Sequence, residues 1–178
     1  MEIAVPTDEA LVAATLAGDE AAFAELARRH KRKVFGLAAR FTRNPHDLED
    51  LAQTVFLRVW RSLGGVRAAA PFEHWLARIA IRCCYDFLRA SKRRPPELPL
   101  DAADAVPAPD DAGHAREIVH AALARLKPDE RLVLTLLELE NHSVREISEA
   151  TGWSEANVKV RAHRARAALK LILQSHHE

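Results

Sequence analysis

Apolar residues recur along most of the chain at spacings of three and four, the period of a helix with one buried face. Leu11, Val12 and Leu16 follow Thr7 and Asp8, either of which can cap a short first helix that Gly18 ends. From a cap at Asp19 the rhythm continues through Phe23, Leu26, His30, Val34, Leu37 and Phe41, with Arg28, Arg29, Lys31, Arg32 and Lys33 on the outer face. Asn44-Pro45 then reads as a stop and restart, Asn as cap and Pro at the first helical position. The third helix turns Leu48, Leu51, Ala52, Val55, Val59 and Leu63 inward and breaks at Gly64-Gly65. Pro71 opens a fourth, whose predicted buried stripe is Phe72, Leu76, Ile79, Cys83 and Phe87. Four such helices can close one bundle core.

At Pro95 the pattern stops. The stretch to Gly113 holds Pro95, Pro96, Pro99, Pro107 and Pro109, the carboxylates of Glu97, Asp101, Asp104, Asp110 and Asp111, and no Lys or Arg. It is predicted to be a flexible, self-repelling linker, too poor in apolar residues to fold alone. Helical periodicity resumes near His114. Ile118, Val119, Ala122, Leu123 and Leu126 make one helix; Pro128 starts the next, with Leu132, Val133, Leu136 and Leu137 inward. Ser143 with Glu146 forms a capping box on a short helix, Val144 and Ile147 point inward, Gly152 permits a left-handed turn, and Trp153 plugs the joint. Ser154 opens the last helix, where Val158, Ala162, Ala165 and Leu169 share one face. The predicted fold is all-α, with an N-terminal helical bundle (residues 1–94), an acidic Pro-rich linker (95–113) and a C-terminal four-helix domain (114–178).

Composition agrees: 48% hydrophobic with only 6% aromatic suits helices. The net charge of +1, from 26 Lys+Arg against 25 Asp+Glu, announces no nucleic-acid partner in bulk, so the placement of charge has to decide. No apolar run is long enough to span a membrane, and MEIAVPTDEA lacks an export signal, so a cytoplasmic protein is expected. Cys83 and Cys84 diverge by about 100° on a helix, which makes them poor joint ligands. Cys83 reads as core filler and Cys84 as partly exposed. None of the 9 histidines pairs with Cys or carboxylate at ligand spacing, and no glycine-rich phosphate loop or catalytic constellation occurs, so neither metal, cofactor nor enzymatic activity is expected.

The last two helices carry the chemistry. Lys159, His163, Arg166 and Lys170 form a basic row on one flank of the final helix, Arg161 and Arg164 lie on the other, and only Ala156, Val160 and Ala167 stand between. Taken alone this could be a solvated charged face. Behind a short capped helix and a glycine turn it reads as the second helix of a helix-turn-helix, shaped for a DNA groove. A second basic region, Arg58, Arg61, Arg67, Arg78, Arg82, Arg89, Lys92, Arg93 and Arg94, is interleaved with Trp60, Phe72, His74, Trp75, Tyr85 and Phe87. Cations with stacking rings suit single-stranded nucleic acid. The core stripe claims Phe72 and Phe87, and Trp75 at its edge is open to either role. On the third helix, Asp47, Glu49 and Asp50 sit where the helix dipole favours them, and Gln53 and Phe56 extend them into a strip a partner helix could dock on.

HDLEDLAQTVFLRVWRSL, then FEHWLARIA and DFLR, then ALARLKPDERLVLTLLELENHSVREISEATGWSEANVKVRAHRARAAL resemble the successive signatures of extracytoplasmic-function (ECF) sigma factors, over nearly the whole chain. The resemblance implies a promoter-specificity subunit of RNA polymerase that opens DNA by binding energy, without covalent chemistry. Asp47, Glu49, Asp50, Gln53 and Phe56 would grip the β′ clamp helices of core polymerase, with the β subunit as a further contact. The loop from Gly64 to Pro71 and the following helix, with Arg67, Trp75, Arg78 and Arg82, would recognise and melt the −10 element. The last helix would read the −35 element through Asn157, Lys159, Arg161, His163, Arg164 and Arg166. The linker would thread toward the RNA exit channel and let the two DNA contacts act together. Control by an anti-sigma factor is implied as well. Three positions depart from the family: Thr54 stands where Glu is common, Arg82 where Asn is common, and Ala156-Asn157 where Gly-Thr is usual. The competing reading is a stand-alone helix-turn-helix regulator with the N-terminal bundle as sensor or dimerisation domain; it would keep no polymerase association to lose on changing Asp50 and Gln53.

Overall fold

The computed structural model describes residues 5–66, 71–92 and 111–175. Among them are eight α-helices and no strand. Arg67 and most of the predicted linker lie outside the described residues. The chain divides into two compact units, Met1–Cys84 and Tyr85–Glu178, so the division falls inside the fourth helix.

The first unit is built from α1 (Asp8–Leu16), α2 (Glu20–Ala38), α3 (Pro45–Ser62), a short 3-10 turn at Leu63–Gly65 and the start of α4 (Phe72–Ser91). Local chemistry sets each start. Thr7 Oγ1 accepts the N–H of Ala10, Asp19 accepts those of Ala21 and Ala22, and Asn44 accepts those of His46 and Asp47 ahead of Pro45. These caps satisfy N–H groups that a helix leaves unpaired at its first turn. Leu26, Val34, Leu51, Val55, Val59 and Leu63 are buried in the core. Each such side chain contributes about 1.5–3 kcal/mol when fully buried.

His30 lies on this buried face, as the spacing predicts, and its Nε2 is 2.7 Å from Asp8 Oδ2. Asp8 also meets Arg29 at 3.2 Å, and Arg29 donates to the Pro6 carbonyl at 2.7 Å. The first turn of α1 is thereby tied to the middle of α2. The basic face of α2 is largely occupied by its own chain. Arg28 and Arg29 both bind Glu25, whose carboxyl is held down to about 2, chiefly by the bond from Arg28 and then that from Arg29. Lys33 reaches Glu73 at 2.7 Å.

The buried stripe of α4 differs from the expected one. Phe72, Leu76 and Cys83 are buried, but Ile79 and Phe87 are only half-buried, and Ala80, Ile81 and Leu88 are buried in addition. Cys84, expected to be partly exposed, is 1% exposed. Residues on more than one side of the helix are covered, so a single stripe of the largest side chains is too narrow a description. Both cysteines are free and buried.

In the second unit α5 (Asp111–Ala124), α6 (Pro128–Glu138), α7 (Val144–Thr151) and α8 (Glu155–Gln174) follow the end of α4. α5 starts at Asp111, so the last three residues of the predicted linker, through Gly113, are helical, ahead of the expected start near His114. Leu132, Val133, Leu136, Ile147 and Val158 are fully buried, and Ala162 and Ala165 let α8 approach its neighbours closely. Leu137, expected inward, is half-buried, and Ile118 and Val119 are each 41% exposed. Arg131 lies within the unit, and burial pushes its guanidinium down from the usual value. Asn141, at φ 54°, takes the left-handed conformation between α6 and α7, which Asn tolerates better than most residues.

Candidate nucleic-acid interface

The joint between α7 and α8 is held by a chain of short-range bonds. Ser143 Oγ accepts the Glu146 N–H at 3.2 Å, and Glu146 accepts the Ser143 N–H at 2.7 Å, the reciprocal box that the sequence predicts. Gly152, at φ 78°, donates its N–H to the Ser148 carbonyl at 2.8 Å. Ser148 Oγ donates to the Trp153 carbonyl at 2.6 Å, and Thr151 Oγ1 accepts the Trp153 N–H at 3.3 Å. Ser154 then caps α8 by accepting the N–H of Asn157 at 3.2 Å. Ile147 and Val158, both fully buried, seat the two helices on the core.

With Val158, Ala162 and Ala165 inward, α8 presents Ala156, Asn157, Lys159, Val160, His163 and Arg164 to solvent. Val160 is 49% exposed. Small residues on the crest flanked by cations form the surface that a major groove admits. The cations are not equivalent. Among the described residues Lys159 and Arg164 are exposed and carry no ion pair, and His163 is exposed beside them. Arg166 pairs with Glu138 at 2.7 Å. Arg161 is partly withdrawn, its side chain 25% exposed: the guanidinium stacks 4.2 Å from the centre of the Trp153 ring, Nε lies 3.3 Å from Asp129 Oδ2, and Nη1 donates to Asn157 Oδ1.

On α4, Trp75, Arg78 and Arg82 fall at spacings of three and four, on one face. Trp75 is half-buried, its ring 5.8 Å from that of buried Phe72. Arg78 is half-buried and Arg82 exposed.

The outer face of α3 carries Glu49, Asp50 and Gln53 exposed and Phe56 half-buried, with Asp47, also half-buried, to one side. Two further apolar residues join it. Leu57 is 47% exposed, and Trp60, 43% exposed, sits edge-on to Phe23 at 4.7 Å. Trp60, expected among the rings of the basic region, lies instead on this strip, and Leu57 is an addition to it. Gln53, Leu57 and Trp60 stand three, seven and ten residues after Asp50, a spacing that puts all four on one side of the helix.

Among the described residues no group of three or more His, Cys, Asp or Glu could hold a metal ion, and no helix is long and apolar enough to cross a membrane.

Two family descriptions match the chain: Sigma-70 region 2 over residues 26–94 and Sigma-70, region 4 over residues 116–169. The helical unit bearing the α3 strip and the unit bearing the helix-turn-helix are thus the paired modules of a sigma-70-type transcription-initiation factor, not of an enzyme. The chain is 34% identical to the RNA polymerase sigma-H factor of Pseudomonas aeruginosa, covering 94% of each. It is also 34% identical to the ECF RNA polymerase sigma factor SigM of Mycobacterium tuberculosis, over 94% of this chain and 85% of that protein. Among solved structures, CnrH in complex with the cytosolic domain of CnrY is similar with a TM-score of 0.65 at 26% identity, covering 94% of this chain and 97% of that one. The chain belongs to the extracytoplasmic-function sigma factors of RNA polymerase.

Proposed function

We propose that the chain binds core RNA polymerase through the outer face of α3, directs it to promoters with −35 and −10 elements, and promotes strand opening. Residues 1–94 act as the region 2 domain, 95–113 as the linker and 114–178 as the region 4 domain. Asp47, Glu49, Asp50, Gln53 and Phe56 meet the β′ clamp helices, extended by Leu57 and Trp60, and the β subunit supplies a further contact. Arg67, Trp75, Arg78 and Arg82 engage the −10 element. Asn157, Lys159, His163, Arg164 and Arg166 form the −35 surface, to which Arg161 belongs through its bond to Asn157.

The observation that carries this reading is the crest of α8, exposed and small between free cations, on a helix-turn-helix that follows a region 2 match. The stand-alone regulator loses its ground with that match, since a sensor or dimerisation bundle has no reason to carry region 2. Control by an anti-sigma factor is supported by CnrH, solved with the cytosolic domain of CnrY, and by a fold shared with the sigma factor RpoE of Bartonella quintana, solved with the anti-sigma factor NepR. A cytoplasmic site of action follows from a polymerase partner.

The test is run-off transcription with purified core polymerase. Asp50→Lys combined with Gln53→Lys, both exposed, should reduce core affinity at least ten-fold with an unchanged melting curve. Full affinity in that variant would sink the assignment of the α3 face.

A further inference from the structure

Arg161 is treated by its surroundings as part of the fold. Its guanidinium lies over the Trp153 ring, pairs with Asp129 at the start of α6, and donates to the side chain of Asn157. A guanidinium offers only donors, so the atom of Asn157 that faces it must be the amide oxygen, whichever way the amide is drawn. The end of the amide that Arg161 leaves unengaged is then its NH2 group, on an exposed residue in the first turn of α8.

We infer that Arg161 is a positioning residue that fixes the Asn157 amide with its NH2 outward, so that Asn157 selects guanine over adenine at one position of the −35 element. The inference rests on the reading of α8 as the helix that enters the major groove. Adenine is read by Asn through a pair of bonds, its N6 donating to the amide oxygen and its N7 accepting from the amide nitrogen. Arg161 takes only one of the two lone pairs of that oxygen, but by turning the oxygen toward its own guanidinium it points the amide's acceptor away from the base, so the first of those bonds is disfavoured. Guanine presents two acceptors, O6 and N7, and a donor-only group serves both. Asp129 and Trp153 contribute by holding the Arg161 guanidinium beside Asn157.

The experiment is initiation by reconstituted holoenzyme on a promoter library randomised through the −35 element, read by sequencing the transcripts. Wild type should favour guanine over adenine by about ten-fold at one position, the scale of a good base contact. Arg161→Met keeps an apolar stem over Trp153 but has no donor, and should shift that same position toward adenine. Arg161→Lys retains a donor and should retain the guanine preference. Asn157→Ala should flatten the position, and Asn157→Ala with Arg161→Met should match Asn157→Ala alone. Melting curves on each protein confirm that the domain is folded at the assay temperature.

A uniform loss across the library in Arg161→Met, with the preference intact and a salt dependence shallower by about one phosphate contact, would make Arg161 a backbone contact and overturn the inference alone. So would a changed preference at a position that Asn157→Ala leaves untouched. A wild-type profile with no −35 preference would overturn the reading of α8 and this inference with it.

Discussion

Gly152→Ala isolates the energetic role of the turn that aims α8. Gly152 sits at φ 78° and ψ 8°, and an added Cβ would meet nothing within 4 Å. Steric clash with neighbours therefore contributes nothing, and the backbone conformation alone sets the cost. Placing an L residue in the left-handed region costs about 1–2 kcal/mol. The stiffer unfolded chain of an Ala variant recovers about 0.4–1 kcal/mol of that. The net destabilisation is about 1 kcal/mol, or about 4–8 °C in Tm for a domain of this size. Gly36 supplies the matched control. It lies inside α2, and a Cβ there also meets nothing within 4 Å. Gly36→Ala should stabilise by about 0.8–1 kcal/mol, the helix-propensity gap between the two residues. Circular-dichroism melts and urea titrations of both variants, with Gly152→Asn as an intermediate case, measure the pair. Opposite signs are expected; a neutral or stabilising Gly152→Ala would refute the claim that the turn depends on left-handed backbone.

Two other predictions concern stability. Ile147 is fully buried in the second unit, so Ile147→Ala should cost about 2–5 kcal/mol. That is comparable with the whole stability of a small domain, and −35-dependent transcription should be lost with the lower melting transition. Glu25 has a folded pKa of about 2 against an ordinary 4.5, owing first to its bond with Arg28 and then to Arg29. A depressed carboxylate contributes stability that is present above pH 4.5 and is lost as pH falls through about 2. Glu25→Gln should therefore flatten the dependence of Tm on pH between those values, and an unchanged slope would show the cluster to be inert.

Much of this architecture was legible because its signals are local. Thr7, Asp19, Asn44, Ser143 and Ser154 cap helices through bonds to N–H groups two or three residues away, so residue type and spacing suffice to find them. The three-and-four rhythm located every helix, and the crest of α8 emerged with the residues expected. The misjudged positions depend on neighbours distant in sequence. Leu57 and Trp60 are exposed on α3 because nothing in their own unit covers that face fully, and Ile118 and Val119 on α5 likewise keep 41% of their surface. Periodicity identifies which residues share a face but carries no information about what else is laid against it.

The sequence alone determined the all-helical character, the positions of the breaks and the membership of both modules in one family, since each follows from short-range bonding and from residues in a fixed order. The tertiary structure decided which apolar positions on α4 are covered and which cations on α8 are free. Arg161 and Arg164 lie three positions apart and look interchangeable as text. Only the approach of Asp129 from α6 and the ring of Trp153 beneath it withdraw Arg161 from the surface and leave Arg164 outside. A charge is given its role by the groups that surround it, and the folded chain brings those groups from elsewhere.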